Sequence, residues 1–224
     1  MFYRDGEIYY RDRRDAGNFL ADLLTRYYRQ PDVLVLALPR GGVPVAYEIA
    51  RKLHLPLDIF LVRKLGVPGH EELAMGAIAS GGVRVLNYEV LRGLPINDET
   101  IEKVAKKELE ELERRDCEYR GEKPHPQIEG KRIILVDDGL ATGSTMRAAI
   151  EAIRKQQPKE IIIAVPVASR EVCEEFRHEV DKVVCASMPE DFHAVGIWYE
   201  DFSQTPDAEV SELLRSATGK EFIP

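Results

Sequence analysis

The sequence predicts an α/β fold with a parallel core sheet of about five strands, flanked by helices. Two observations carry this prediction. Short, continuously apolar segments alternate with helical segments, which is typical of parallel sheets buried on both faces. Several apolar segments run directly into loops rich in glycine and charged residues, at the end of the strand where open α/β sheets bind ligands. The predicted core strands are residues 33–38, 57–62, 133–136, 161–167 and 182–186.

Apolar residues at helical spacing predict the helices. Residues 14–29, for example, carry Phe19 and Leu23 on one stripe, as in a helix packed on a sheet. A hairpin is predicted around residues 80–82, and residues 65–72 are expected to form an exposed loop. The other predicted helices are residues 43–53, 98–119, 170–179 and 208–215, together with the helix that begins near residue 144.

Composition is that of an ordinary globular protein, with 44% hydrophobic and 31% charged residues among 224. This length buries one substantial core, so a single domain is expected. The formal net charge of −8 argues against non-specific nucleic-acid binding. No membrane-length apolar stretch or signal-peptide core is present, so we expect a cytoplasmic protein without a membrane partner. Cys117, Cys173 and Cys185 lack metal-ligand spacing and are expected to be reduced thiols.

The most informative segment is residues 133–145, which join a buried strand to the start of a helix. Four apolar residues precede the carboxylates Asp137 and Asp138, and a glycine-rich loop completes the segment. Glycines let a backbone wrap around an anion, and amides at a helix start add hydrogen bonds and positive partial charge. The carboxylates would repel a phosphate but suit sugar hydroxyls. A ribose 5-phosphate satisfies both halves of the segment.

Three other interpretations fit this segment less well. A βα turn whose polar residues only cap a helix needs one such residue, not seven. A P-loop ends in Gly-Lys-Ser/Thr, whereas Gly143 is followed directly by Ser144. An aspartate-phosphorylating hydrolase has carboxylates two residues apart, whereas Asp137 and Asp138 are adjacent and would point to opposite sides of a strand.

The segment resembles the motif of the type I phosphoribosyltransferases that binds phosphoribosyl pyrophosphate (PRPP). The order of elements is similar to that fold over almost the whole chain. The resemblance implies a core in residues 1–186, with a mobile loop at about 64–86 and the long helix at about 98–119, and a hood in residues 187–224. It implies that Asp137 and Asp138 are catalytic. The residues implied to bind the 5-phosphate are Gly139, Leu140, Ala141, Thr142, Gly143, Ser144 and Thr145.

A second anion site is predicted at residues 39–42, Pro-Arg-Gly-Gly, after the first core strand. Two glycines expose backbone N–H groups and Arg40 adds a bidentate donor, although a purely structural turn is the alternative. The resemblance implies that Arg40, Gly41 and Gly42 bind pyrophosphate. It also makes the Pro39–Arg40 peptide bond the candidate for a non-proline cis bond.

The segment after the second core strand offers further charged candidates. Arg63 and Lys64 are expected either to neutralise pyrophosphate or to form salt bridges with surface acids. The glycine-containing loop beyond them is expected to act as a lid, with His70, Glu71 and Glu72 as candidate proton carriers. The alternative is an exposed acidic loop without a chemical role. Ala141 stands where hypoxanthine-guanine enzymes carry an acid, so the loop is more similar to that of adenine phosphoribosyltransferases. In that family a glutamate of the mobile loop assists.

The acceptor is expected under the hood, where aromatic residues are dense. Phe192, Trp198 and Tyr199 are suited to stack on a planar base. Asp191 is suited to accept hydrogen bonds from the donor groups of that base. The alternative is that these aromatics only pack the hood against the core.

The function implied by the resemblance is transfer of the phosphoribosyl group of PRPP to a nitrogen of a nucleobase-like acceptor. Mg²⁺ is the expected cofactor, held mainly by PRPP and water rather than by direct protein ligands. A PRPP-sensing regulator without turnover is the alternative, and a PRPP-forming kinase relative would need an ATP site that is not apparent. The sequence does not determine the oligomeric state, although homodimers are common among relatives and among soluble enzymes generally.

Overall fold

The structure is a computed structural model that describes residues 1–4, 7–121 and 123–217. Ten strands and seven α-helices are found within these ranges. The strands are β1 (Phe2–Arg4), β2 (Glu7–Tyr9), β3 (Val33–Ala37), β4 (Leu57–Ile59), β5 (Val62–Val67), β6 (His70–Ala79), β7 (Val83–Leu86), β8 (Arg132–Val136), β9 (Glu160–Val167) and β10 (Lys182–Ser187). The helices are α1 (Arg13–Leu23), α2 (Gly42–Leu53), α3 (Tyr88–Arg92), α4 (Asp98–Arg120), α5 (Ser144–Arg154), α6 (Arg170–Glu179) and α7 (Asp207–Ala217).

The core is a five-stranded parallel sheet with the strand order β10-β9-β8-β3-β4. The predicted fold class is therefore confirmed. The chain starts the sheet at β3, adds β4 on one side, and later adds β8 to β10 on the other. The order reverses between β3 and β8, which is the place where doubly wound sheets bind ligands.

The apolar run of β8 shows why these strands need no polar face. Ile134 and Val136 pack into the hydrophobic cluster on one side of the sheet, whereas Ile133 and Leu135 pack into the cluster on the other. All four are fully buried. A strand covered on both faces gains from apolar residues at every position, because successive side chains point to opposite sides.

Most predicted helices lie close to the observed ones, and the long helix differs from its predicted bounds by one residue at its end. The helix predicted at residues 14–29 is too long, because α1 ends at Leu23 and a 3-10 turn follows at Thr25–Tyr27. The hairpin around residues 80–82 is also confirmed. β6 and β7 pair antiparallel, and Gly81 and Gly82 adopt φ values of 81° and 71°. These left-handed conformations suit glycine at the turn.

The predicted exposed loop at residues 65–72 is wrong as local structure. β5 and β6 form a hairpin there, and with β7 they make a separate three-stranded antiparallel sheet. Leu65 and Val67 are buried on this sheet, in the same cluster as residues of α4. The predicted core strand 57–62 accordingly splits, since β4 ends at Ile59 and β5 starts at Val62.

The N-terminal hairpin β1–β2 was not predicted. The chain after it joins the C-terminal segment, because the Tyr10 amide donates to the Trp198 carbonyl at 2.9 Å and Tyr10 forms a parallel bridge with Tyr199. Both ends of the chain therefore build the layer that covers the carboxyl edge of the core sheet. Within the described ranges, none of the helices combines the length and the apolar character needed to cross a membrane.

Candidate functional site

Two loops meet at the switch point of the sheet, one after β3 and one after β8. A Cβ atom placed on Gly41 would lie 1.9 Å from Asp138 Oδ2, and one on Gly42 would lie 2.6 Å from the Val136 carbonyl oxygen. A side chain at Gly42 would collide with backbone atoms, and one at Gly41 would displace the Asp138 carboxylate, so glycine at both positions keeps this arrangement. The Pro39–Arg40 peptide bond in the first loop is cis, at the position that was the expected candidate. The two loops thus form one continuous wall.

The acidic pair lies in this wall, with both residues half-buried. Asp137 Oδ1 accepts a hydrogen bond from the Asp138 amide at 2.9 Å. Burial, followed by the negative charge of Asp138, raises the pKa of the Asp137 carboxyl well above its ordinary value. Burial also raises the pKa of Asp138, although its bond with Arg13 opposes that change. The pair is therefore held in a setting that disfavours two unscreened negative charges.

Asp138 is fixed by Arg13, which sequence reasoning missed, and by Tyr199, which was predicted only as a stacking residue. Arg13 Nε donates to Asp138 Oδ2 at 2.8 Å, and the Tyr199 hydroxyl donates to the Asp138 carbonyl oxygen at 2.6 Å. Arg13 comes from the start of α1, 125 positions earlier in the chain. No local pattern signals such a pairing, since it depends on how the N-terminal segment crosses the sheet edge.

The loop before α5 combines exposed polar groups with a backbone turn that only glycine adopts easily. Gly143 has a φ of 67°, and a Cβ there would lie 2.6 Å from the Phe176 ring. It occupies the cap position of α5, so no cap side chain covers the first amides of the helix. Ala141, Thr142, Ser144 and Thr145 are exposed around this opening. The helix start is thus arranged as an anion site.

Two residues of the predicted phosphate loop have structural contacts instead. Leu140 is buried and its amide donates to the Val167 carbonyl at 3.0 Å. That amide is not available to a phosphate in this arrangement, contrary to expectation. Gly139 packs against Val195 of the C-terminal segment, since a Cβ on it would lie 2.4 Å from Val195 Cγ1.

In the loop after β3, one predicted anion donor instead forms a hydrogen bond within the loop. The Gly42 amide donates to the Leu38 carbonyl at 3.1 Å and Gly42 is buried, so its expected exposure is wrong. The amides of Arg40 and Gly41 remain the candidate donors of this turn. Arg40 Nη1 lies 3.8 Å from Asp207 Oδ1 of α7, which leaves its guanidinium partly exposed beside the loop.

The comparisons with known proteins agree with this geometry. The profile of the phosphoribosyl transferase domain matches residues 9–199 of this chain. The chain belongs to the phosphoribosyl transferase family. The crystal structure of TT1426 from Thermus thermophilus superposes on it with a TM-score of 0.84 at 40% identity, covering 95% of this chain and 100% of that chain.

Two curated relatives share substantial sequence with this member of the family. A Mycobacterium tuberculosis protein, provisionally named a phosphoribosyl transferase, is 44% identical over 206 residues, which are 92% of this chain and 46% of that protein. A uracil phosphoribosyltransferase from Lactobacillus gasseri is 32% identical over 142 residues, which are 58% of this chain and 62% of that enzyme. The chain thus spans about half the length of the mycobacterial relative.

Arg63 and Lys64, the further pyrophosphate candidates of this phosphoribosyl transferase domain, lie in β5 and not at the end of a core strand. Arg63 Nε pairs with Glu108 Oε2 of α4 at 2.5 Å, which is the salt-bridge alternative. Lys64 is exposed and lines a cavity of about 360 Å³ together with Ser144 and Thr145. Of the two, Lys64 is therefore the one placed beside the start of α5.

The candidate proton carriers lie at the start of β6 and not in a loop. Glu71 is exposed, and its Oε1 accepts from the Gly69 amide at 3.3 Å across the hairpin turn. The side chain of Glu72 lies outside the described residues. Glu71 therefore occupies the tip of the β5–β6 hairpin.

The aromatic residues of the predicted acceptor pocket mainly pack the covering layer onto the core. Trp198 and Tyr199 are buried, and their rings lie 5.1 Å from Tyr9 and 5.5 Å from Tyr10, respectively. Phe192 is half-buried against the same cluster. Their expected stacking on a base is therefore wrong for Trp198 and Tyr199, because their faces are already covered. Asp191 is exposed.

Proposed function

We propose that this protein transfers the 5-phosphoribosyl group of PRPP to a nitrogen of a nucleobase-like acceptor and releases pyrophosphate. One observation carries the proposal: two glycine loops and an acidic pair meet at the switch point of the sheet, with Gly41 packed against the Asp138 carboxylate. Membership of the phosphoribosyl transferase family supports the same reaction class.

PRPP has three chemical parts, and each has a matching part of the site. The 5-phosphate is assigned to the opening at the start of α5, lined by residues 141–145. The ribose diol is assigned to Asp137 and Asp138, since carboxylates accept hydrogen bonds from hydroxyls. The pyrophosphate is assigned to the turn after β3, where Arg40 adds a charged donor.

The reaction breaks the bond between the anomeric carbon and the pyrophosphate oxygen and forms a bond from that carbon to the acceptor nitrogen. The electron pair of the broken bond leaves with pyrophosphate, and the acceptor nitrogen loses its proton. The transition state carries positive charge on the sugar ring, as in glycoside hydrolysis. Asp137 and Asp138 place negative charge close to that ring, which stabilises it.

Mg²⁺ fits this site as an ion carried largely by the substrate. Mg²⁺ commonly uses substrate phosphates, water and few protein groups, and the carboxylates of Asp137 and Asp138 are adjacent at the proposed diol site. Asp137 and Asp138 would hold its hydration shell through their carboxylate oxygens. When bound, the ion would offset the charge of the departing pyrophosphate.

The acceptor is proposed to be a planar nitrogen heterocycle. The similarity to a uracil phosphoribosyltransferase supports this class. Glu71, an exposed carboxylate at the tip of the β5–β6 hairpin, is proposed to accept the acceptor's proton.

A pyrophosphate-release assay against a panel of purine and pyrimidine bases tests the proposal. We expect release with at least one base, and loss of release in an Asp137→Asn plus Asp138→Asn variant. The matched control replaces two exposed acids of α4, Glu110→Gln plus Glu113→Gln, and should retain full release. No release with any base, combined with tight PRPP binding, would contradict turnover and favour the PRPP-sensing alternative.

A further inference from the structure

Arg13 is held at a fixed place beside the acidic pair. It is the first residue of α1, and the preceding Asp12 caps that helix by accepting from the Asp15 amide at 2.7 Å. Its side chain is only 11% exposed and reaches Asp138 Oδ2 through Nε at 2.8 Å. The capped helix start therefore sets where the guanidinium lies.

The rest of the guanidinium is engaged by the C-terminal segment. Nη1 donates to the Ser203 carbonyl at 2.7 Å, and the guanidinium carbon lies 4.0 Å from the centre of the Phe202 ring. A Cβ on Gly41 would lie 3.2 Å from Arg13 Nε, so the loop after β3 closes a further side. A planar cation held on several sides has little freedom to turn.

From this geometry we infer that Arg13 is a positioning residue, which holds one oxygen of Asp138 so that the other oxygen meets the ribose diol. The inference rests on the proposed PRPP-binding function. It adds a role for α1, the helix that carries Arg13, at the proposed binding site.

Two other roles for Arg13 predict different behaviour. A purely structural ion pair would affect every ligand of the site equally, through the stability of the fold. A direct phosphate contact would also affect every phosphate-bearing ligand equally, with or without hydroxyls. Positioning of Asp138 affects only the part of the binding energy that comes from the hydroxyls.

A pair of ligands that differ only in the diol separates these roles. The first is 1,4-anhydroribitol 5-phosphate, which keeps the ring, the phosphate and both hydroxyls. The second is tetrahydrofurfuryl phosphate, which lacks the two hydroxyls. Their affinities are measured by calorimetric titration for the unchanged protein and for Arg13→Met, which keeps side-chain bulk but removes the charge, and Arg13→Lys.

The matched control is Arg14→Met, in the next residue of the same helix. Arg14 is 47% exposed and pairs with Glu48 and Glu209 at 3.4 and 3.7 Å, away from Asp138. The Arg14→Met substitution removes the same charge as Arg13→Met but leaves the contacts of the acidic pair unchanged. PRPP itself is titrated into every variant, and thermal melts record whether each variant is folded.

We expect the unchanged protein and Arg14→Met to prefer the diol ligand by about tenfold, the usual scale for a hydrogen bond to a charged group. Arg13→Met should lower that ratio several-fold, because only the Asp138 share of the diol contact is lost. Arg13→Lys should give an intermediate ratio, because an ammonium cannot reproduce the planar contacts with Asp138 and Ser203 together. If Arg13→Met fails to fold, the ratio measured for Arg13→Lys decides the question.

An unchanged ratio in the folded Arg13 variants, whether or not both affinities fall, would overturn the positioning role while leaving the proposed function standing. Failure of the unchanged protein to bind PRPP would instead overturn the proposed function, and the inference with it. The two failures are therefore distinguishable in one set of titrations.

Discussion

Asp138 connects three distant segments of the chain at the level of single residues. Its carboxylate meets Arg13 of α1 and packs on Gly41, and its carbonyl oxygen accepts from Tyr199. A change in any of these neighbours should therefore move the acid. This dependence makes single substitutions at the site informative.

Replacing Gly41 by alanine should disrupt the site at its narrowest point. The added Cβ would lie 1.9 Å from Asp138 Oδ2, so either the carboxylate or the loop must shift. We expect PRPP affinity to fall at least about tenfold and stability to fall by about 1–3 kcal/mol, as for overpacking elsewhere. Titration and thermal melts measure both quantities.

The control for that substitution is Gly93→Ala. A Cβ on Gly93 would have its nearest neighbour at 3.7 Å, an ordinary contact, and its φ is −86°. It should change PRPP affinity by less than about twofold, the scale of ordinary surface effects. Equal affinities for Gly41→Ala and Gly93→Ala would contradict the close contact between the two loops.

Asp137→Asn should stabilise the protein at neutral pH while harming ligand binding. The folded state raises the pKa of Asp137, so stability falls as pH rises through that value and the carboxylate must ionise in the fold. The amide avoids this cost, so we expect Asp137→Asn to be the more stable of the two proteins near pH 7. The difference should vanish below about pH 4, where the carboxyl of the unfolded chain is also protonated.

Thermal melts of both proteins between about pH 3 and pH 8 measure this difference. A variant less stable than the unchanged protein at pH 7.5 would show that ionising the Asp137 carboxyl does not destabilise the folded protein. The comparison at one pH value cancels the titration of the groups that do not interact with Asp137.

Sequence reasoning located the acids and glycines of the site but not their neighbours. Asp137, Asp138 and the glycine loops are contiguous in the chain, and their chemistry is visible in a short window. Arg13 pairs over 125 positions, and the use of the Leu140 and Gly42 amides by backbone carbonyls depends on how loops pack. The spacing of residues within one segment of the sequence does not indicate such contacts.

At the scale of elements, a buried arginine joins the long helix to the edge of the core sheet. The Arg120 side chain is 2% exposed, and its Nη1 donates to Asp58 Oδ2 of β4 at 2.6 Å. It also bonds the Ile59 carbonyl at 3.2 Å and Asp116 at 3.2 Å. The last turn of α4 is therefore anchored by charge as well as by its apolar stripe.

Arg120→Ala should destabilise the protein by about 3–5 kcal/mol, because it leaves the half-buried Asp58 carboxylate without its partner. Arg114→Ala is the control on the same helix. Arg114 is 58% exposed and pairs with Glu111 and Glu118, and exposed pairs contribute about 0–1 kcal/mol. Urea unfolding measures both, and similar losses would contradict the anchoring role.

Helix and strand positions were largely predictable because the core strands are continuously apolar and the helices are amphipathic. The main error, at residues 65–72, arose where glycines and polar residues interrupt the pattern. Leu65 and Val67 are two residues apart and both are buried against α4, which is the alternation of a strand with one covered face. The register irregularities around Gly66 obscure that alternation.

At the scale of the whole molecule, the site depends on an N-terminal and a C-terminal segment that meet at the switch point of the sheet. Val195 packs on Gly139, Tyr199 bonds Asp138, and α1 brings Arg13 to the same edge. The alternation of strands and helices predicts a parallel sheet, but strand order follows from tertiary packing. Only that order shows that the loops after β3 and β8 are neighbours.

PRPP binding at this edge of the sheet, through the acidic pair and the glycine loops, is the property on which the proposed function depends. Calorimetric titration of PRPP with Mg²⁺ into the unchanged protein and into the folded Asp137→Asn plus Asp138→Asn variant tests it most directly. We predict saturable binding to the unchanged protein and a loss of at least about a hundredfold in the variant, as two charge-assisted hydrogen bonds are removed. Equal affinity in the two proteins would contradict this assignment.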